Sequence, residues 1–377
     1  MQYIKLKDAF TIQKGKKVEQ ISEYQENCIR CIQIEDLRHD NLLKYCLSNE
    51  KHVLVEKEDI LIAWDGANAG TVGTGLVGAV GSTLAKLTLK TDKLLSSFVA
   101  ILLQSKFDYF QQTATGATIP HISRKALENI DLPVIEIEIQ KNIVKVINHS
   151  LELIEKRQSQ IAALDELIRS YFEQSRESDL EHHLLRNLMV ETKNGMSRRG
   201  SDLDGQIVLK LKDIRPNNIK YDKANRIKLT EKELLNYSLE EKDLLLIRVN
   251  GNPNYVGRCA VFKEIDEPVY FNDHIIRIRV KGVEAKYLAY YLNSTIGQNE
   301  IQKNIKTSAG QYTISKAGLD KIKVELPSGN VQKGFLLKLD SILTMKKKFI
   351  SSLREYELLY NSLLQKAFKG ELFQELV

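Results

Sequence analysis

Cysteine is scarce in this chain, with four among 377 residues. That excludes a disulfide scaffold and suits a reducing compartment. No apolar run approaches the roughly 18 residues of a spanning helix, and the opening MQYIKLKDAF lacks the apolar core of a signal peptide. Membrane and secreted classes are therefore not expected, and a cytoplasmic location is. Proline is rare, six in all, and is missing from 134–215 and after Pro327, which leaves room for long helices. Charge of one sign is not in large excess, since 55 basic and 49 acidic residues leave a net +6. Residues 1–135 sum to zero, whereas 180–330 are net positive, compatible with a polyanion partner without requiring one.

Catalytic signatures are missing too. There is no G-x-x-x-x-G-K-[ST] phosphate loop. Gly73–Gly78 reads GTGLVG, but the surrounding residues are strand-like, so a glycine-rich β-turn is expected rather than a dinucleotide site. Asn252–Tyr255 (NPNY) differs by one residue from an amino-methyltransferase motif and lacks any accompanying cofactor turn; a polar turn is expected. Glu284-Ala285-Lys286 has no Pro-Asp pair upstream to make a nuclease site. Cys28 and Cys31 form one C-x-x-C near His39, Cys46 and His52, whereas structural zinc usually takes two such pairs. Strand-like alternation around the cysteines points to buried thiols and no metal. No nucleophile, base and orienting acid assemble, so a binding protein without its own catalytic centre is expected.

With 43% hydrophobic and 28% charged residues the chain is expected to fold, and it repeats itself. Glu58–Ala63 (EDILIA) matches Lys242–Ile247 (KDLLLI), Cys31–Arg38 (CIQIEDLR) matches Val208–Arg215 (VLKLKDIR), and Ile122–Leu132 matches Ile314–Val324, all in the same order. Strands are expected at Ile60–Trp64, Thr83–Leu89, Val261–Ile265 and Ile275–Val280, and helices at Phe98–Phe110 and Ala285–Ser294. After Pro133 and Pro327 each copy runs into a charged stretch with apolar residues in a 4-3 register. In the first stand Ile143, Ile147, Ile154, Ile161, Leu164, Ile168 and Tyr171, broken by Ser150 and Arg157. In the second stand Phe335, Leu339, Ile342, Phe349, Leu353, Tyr356, Tyr360, Leu363 and Ala367, broken by Lys346. This is the seam of a coiled coil. The expected fold class is mixed α/β: two similar domains, 1–135 and 179–328, with long spacer helices at 136–178 and 329–370, related by an internal pseudo-two-fold repeat.

Residues suited to nucleic acid lie in the loops. Lys14, Lys16 and Lys17 form a basic cluster in the first copy, and Arg198 and Arg199 sit in its counterpart, NGMSRRG. The segment Ile247–Arg258 carries Arg248, Asn250, Asn252, Asn254, Tyr255 and Arg258, while the matching WDGANAGT carries Asp65, Asn68 and Thr71. Arginine and asparagine read guanine and adenine edges bidentately, and lysine mainly holds phosphate. The copies differ most in these loops, as two readers of different half-sites would.

The order domain, long helix, domain, long helix, together with the closing run LLQKAFKGELF, the entries Pro133…Gln140 and Pro327…Gln332, and the openings YIKLKDAFTIQKGKK and NLMVETKNGM, resembles the specificity subunit of a type I restriction-modification enzyme. The first entry departs from the family's usual spacing by two extra residues. The resemblance implies two target-recognition domains held at a fixed distance by an antiparallel pair of helices and reading a bipartite duplex. It also implies two modification subunits that use S-adenosylmethionine to methylate a flipped adenine, and restriction subunits that use ATP and Mg. It implies no cofactor on this chain. The rival classes are a coiled-coil adaptor with duplicated protein-binding domains and a stand-alone methyltransferase or nuclease.

Overall fold

The computed structural model describes residues 2–372 other than 22, 23, 39, 40, 42, 117, 118, 178 and 309; the end of the closing run, Phe373, lies outside them. The chain forms two compact units, 1–159 with 350–377, and 160–349. Each unit contains one globular repeat and part of both long helices.

The first unit is built on an antiparallel sheet in the order Phe10–Lys14, Leu84–Leu89, Ile60–Ala63, Val72–Thr74. The second unit repeats it as Met189–Asn194, Ile275–Val280, Leu244–Ile247, Cys259–Val261. The continuously apolar stretches ILIA and LLLI form the third strand of each. Ile60 and Ile62 enter one core, Leu61 and Ala63 another. Leu244 and Leu246 likewise part from Leu245 and Ile247. A strand covered on both faces reads as an unbroken apolar run instead of alternating. Beside this sheet lies a smaller one, in which Cys28–Ile32 runs parallel to Gly78–Val80, as Gln206–Leu209 does to Val269–Phe271. A two-stranded ladder closes each repeat, Gln2–Lys5 with Asp131–Val134, and Leu180–Leu184 with Lys323–Pro327.

GTGLVG is a bend between the strands Val72–Thr74 and Gly78–Val80, with Gly75 at φ +76°, and no helix follows it. Two expectations need correction. The helix expected over Phe98–Phe110 is two, Ser96–Ser105 and Phe107–Gln112, because Lys106 between them leaves helical geometry at φ −96°, ψ 11°. The strand expected at Val261–Ile265 is Cys259–Val261. Its partner strand begins only at Leu244, after a turn in which Lys242 takes φ +73°, so regular pairing ends there.

The long helices are Ile137–Gln174 and Gly329–Lys369, of 38 and 41 residues. A glutamine fixes the start of each. Gln140 is fully buried; its Oε1 accepts from the Leu95 amide at 2.8 Å, and its Nε2 donates to the carbonyls of Lys93 and Ile135, both at 2.8 Å. Gln332 accepts from the Glu284 amide at 3.0 Å and donates to the Pro327 carbonyl at 2.8 Å. The extra residues in the first entry leave this anchor intact. In the first unit Ile143 and Ile147 are fully buried with Ala367, and Tyr360 and Leu363 pack against them. In the second, Leu164, Ile168 and Phe172 share a core with Phe335, Leu339 and Ile342, and Phe349 packs against it. There Lys346 pairs with Asp165 and Lys338 lies over Tyr171, so the helices run antiparallel. Arg157 lies over the ring of Tyr356, so Arg157 and Lys346 are partnered across the seam, while Ser150 donates to the Val146 carbonyl of its own helix at 2.7 Å. Ile154, Ile161 and Tyr356 are only half-buried, as befits a two-helix section.

Candidate nucleic-acid interface

At one end of each main sheet four loops are tied together by the same backbone bonds. Gly15 and Gly195 follow the first strand; a Cβ there would stand 2.2 Å from the Gly81 carbonyl oxygen and 2.1 Å from that of Asn272. Only glycine permits that approach, which accounts for Gly15 and Gly195 in the two openings. The Trp64 amide donates to Thr83 O and the Arg248 amide to His274 O, both at 2.7 Å. The Ile122 amide donates to Trp64 O, and the Ile314 amide to Arg248 O. One frame is thus built twice, with different side chains mounted on it.

In the first unit Lys14 Nζ lies 2.8 Å from Asp65 Oδ2, and His121 Nδ1 lies 3.5 Å from Asp65 Oδ1. Asn68 Oδ1 accepts from Arg38 Nη2 at 2.7 Å, and the same nitrogen reaches Thr71 Oγ1 at 3.4 Å. Lys16 and Lys17 are exposed. Sequence reasoning passed over Arg38 and His121. Arg38 ends the repeated match CIQIEDLR, which was a signal available for it; His121 had none.

In the second unit the adjacent arginines diverge. Arg198 Nε donates to Glu233 Oε1 at 2.8 Å. That bond, with help from the Thr230 amide, holds the Glu233 carboxyl down at about 2, and the carboxylate in turn raises the Arg198 guanidinium. Arg199 points its fork at Asp273, with both bonds at 3.0 Å, while Arg248 Nη1 donates to the Asp273 carbonyl at 2.9 Å. Asn250 and Asn252 accept from the amides of Asn252 and Asn254, so NPNY is a polar turn in which Asn252 caps the single-turn helix Pro253–Tyr255. The Arg258 guanidinium stacks 3.9 Å from the Tyr255 ring centre and donates to Asn254 O at 3.0 Å. The structure therefore brings together Arg199 and Arg248 on one residue, Asp273, and gathers Asn250 to Arg258 in one loop. Arg198 goes instead to the helix Glu231–Tyr237. Asp273 was missed because an acidic residue in a short turn carries no sequence signal.

Among the described residues no group of three or more His, Cys, Asp and Glu side chains is placed to hold a metal ion. Cys31 and Cys46 are buried and Cys28 partly so. Burial, then the neighbouring Cys31 and Cys28, pushes the Cys46 thiol up to about 11. His39 lies outside the described residues. Among the described residues no helix is long and apolar enough to cross a membrane.

A duplicated frame with variable loops, each copy leading into a long helix, matches one class of protein. The chain belongs to the family of type I restriction modification DNA specificity domains, whose model matches residues 1–163 and 208–355. It is similar to the StySPI specificity subunit of Salmonella potsdam, 26% identical over 311 residues, covering 75% of this chain and 67% of that one. It is also similar to the MjaVIII specificity subunit of Methanocaldococcus jannaschii, 25% identical over 376 residues, covering 92% and 87%. Its fold resembles that of a type I S subunit from M. genitalium, with a TM-score of 0.59 at 16% identity over 97% of this chain and 96% of that one. A chain solved in a study of complex assembly and conformational transition of the type I R-M system gives a TM-score of 0.61 at 14% identity over 98% of both.

Proposed function

We propose that this specificity subunit reads a bipartite duplex, one half with each unit's loop frame, and so directs adenine methylation by two modification subunits. In this reading the chain binds no cofactor itself. S-adenosylmethionine comes with the modification subunits, and ATP and Mg with restriction subunits when these join to cleave. The observation that carries the proposal is the pair of matching frames with unlike side chains, Lys14, Asp65, Asn68 and His121 on one, Arg199, Arg248, Asn252 and Arg258 on the other. A scaffold that keeps its backbone and changes its hydrogen-bonding loops suits two unlike base sequences. The test is single-molecule methylation mapping of DNA from cells that co-express this chain with its modification subunit. N6-methyladenine in a two-part motif with a fixed gap is expected. Absence of chain-dependent methylation, with the partner active on another specificity chain, would overturn the proposal.

A further inference from the structure

Three of the seven cations chosen for contact with DNA are already in contact with carboxylates. Lys14 is paired with Asp65, Arg198 with Glu233 and Arg199 with Asp273, at 2.8, 2.8 and 3.0 Å. Arg199 Nη1 donates to Ser197 O as well, so both ends of its fork are engaged within the protein. The turn that carries Asp273 is firmly held, its amide donating to Met196 O at 2.9 Å and the Ile275 amide to Asn272 O at 3.0 Å. The carboxylate is therefore fixed, and the arginine comes to it.

These pairs are not inherited from the duplication. In the first unit the turn equivalent to 272–274 is 81–83, where Ser82 stands in place of Asp273. There the carboxylate on Lys14 comes from another loop, at Asp65. Two unlike routes lead to one result, a loop cation offset by a carboxylate at the place where a polyanion would bind. Nor do such pairs serve folding well, since side chains as exposed as Lys14 and Arg199, at 49% and 60%, contribute little to stability.

We infer that Asp65, Glu233 and Asp273 are specificity-determining residues that act by cancelling the attraction of Lys14, Arg198 and Arg199 for phosphate. This rests on the DNA-reading function proposed above. Phosphate attraction is the same for every sequence and supplies essentially all non-specific affinity. A reader that must find its site among a large excess of other sequences gains discrimination when that shared term is reduced. Each arginine then leaves its carboxylate only where the partner offers better geometry than the ion pair it gives up.

The test uses the complex assembled with modification subunits, and compares a scrambled duplex with one that carries the mapped site across a range of salt. Asp273→Asn keeps the shape of the turn and removes the charge. We expect it to bind the scrambled duplex several-fold more tightly, and to steepen the dependence of log K on log salt by about 0.9, the value for one added phosphate contact. The ratio of cognate to scrambled affinity falls accordingly. Glu233→Gln, which keeps the helix cap because glutamine serves at that position, should move the same quantities the same way. Unchanged scrambled affinity and salt slope in both variants would overturn the inference. So would loss of cognate affinity alone, which would make Asp273 a support that aims Arg199 at a base. If the native complex itself binds both duplexes alike, the proposed function fails; if the native complex discriminates and the variants match it, only this inference does.

Discussion

At the scale of single residues, the loops combine groups placed by the backbone with groups placed by each other. Arg248 is the clearest candidate for base reading, because its main chain is bonded on both sides, to His274 and Ile314. Arg248→Ala is expected to relax selectivity in one half of the target only, costing about 1–3 kcal/mol on the preferred sequence. Binding to a panel of single-base variants checks this, and an equal loss on every duplex would mark a phosphate contact instead. Glu233 gives a pH-dependent prediction. Its carboxyl is lowered from 4.5 to about 2 by Arg198 and the Thr230 amide. A depressed carboxyl adds stability above its unfolded value of 4.5 and loses that contribution as pH falls through about 2. In Arg198→Ala a carboxyl titration followed by NMR should show Glu233 back toward 4.5. The types Arg and Asn in the loops were legible in the sequence; their partners were not. Asp273, Glu233 and Asp65 lie 74, 35 and 51 positions from the cations they hold, and only the folded frame brings them together.

At the scale of elements, the repeat in the sequence was a repeat of structure. EDILIA and KDLLLI are doubly covered strands, and their aspartates do the same local work. Asp59 accepts from the Glu56 amide at 3.0 Å, and Asp243 from the Glu240 amide at 2.8 Å. In the first unit Asp59 also accepts from Thr88 Oγ1 at 2.6 Å and lies 3.5 Å from Lys86. In the second unit Asp243, 1% exposed, also holds Arg279 at 2.7 Å and lies 3.9 Å from Arg277, 5% exposed; Glu191 contacts both arginines as well. Asp243→Ala leaves these cations undercompensated and should cost about 3 kcal/mol or more of stability. Removing the exposed partner in Lys228→Ala, whose side chain is 70% exposed in its pair with Asp202, should cost less than about 1 kcal/mol. Chemical denaturation of both variants tests the contrast. The network was hidden from sequence reading because alternate charges along IIRIRV read as a solvated strand face. The helix seams, by contrast, were plain, because a 4-3 register is set by helix geometry alone. Phe172 was missed, since it stands beside Tyr171 at the end of the register and the sequence alone does not say which is turned inward.

At the scale of the whole chain, both long helices contribute to both units. On the proposed function their length sets the gap in the target. One heptad adds about 10.5 Å of helix, close to three base-pair steps. Matched heptad insertions in Ile143–Tyr171 and in the second helix should therefore yield a methylated motif with a longer gap, and an unchanged gap would refute the link. A second consequence concerns how the molecule is made. Residues 160–349 form a continuous unit, whereas the first unit is completed by 350–377, with Ala367 in its core and Phe368 5.7 Å from Phe98. A chain emerging from the ribosome therefore presents the amino-terminal repeat first but supplies its last core residues at the end. Released fragments ending at 349 should show Phe98 and its neighbours open to protease while the core around Tyr287 stays closed. The amino-terminal repeat, made before the second, is thus finished after it.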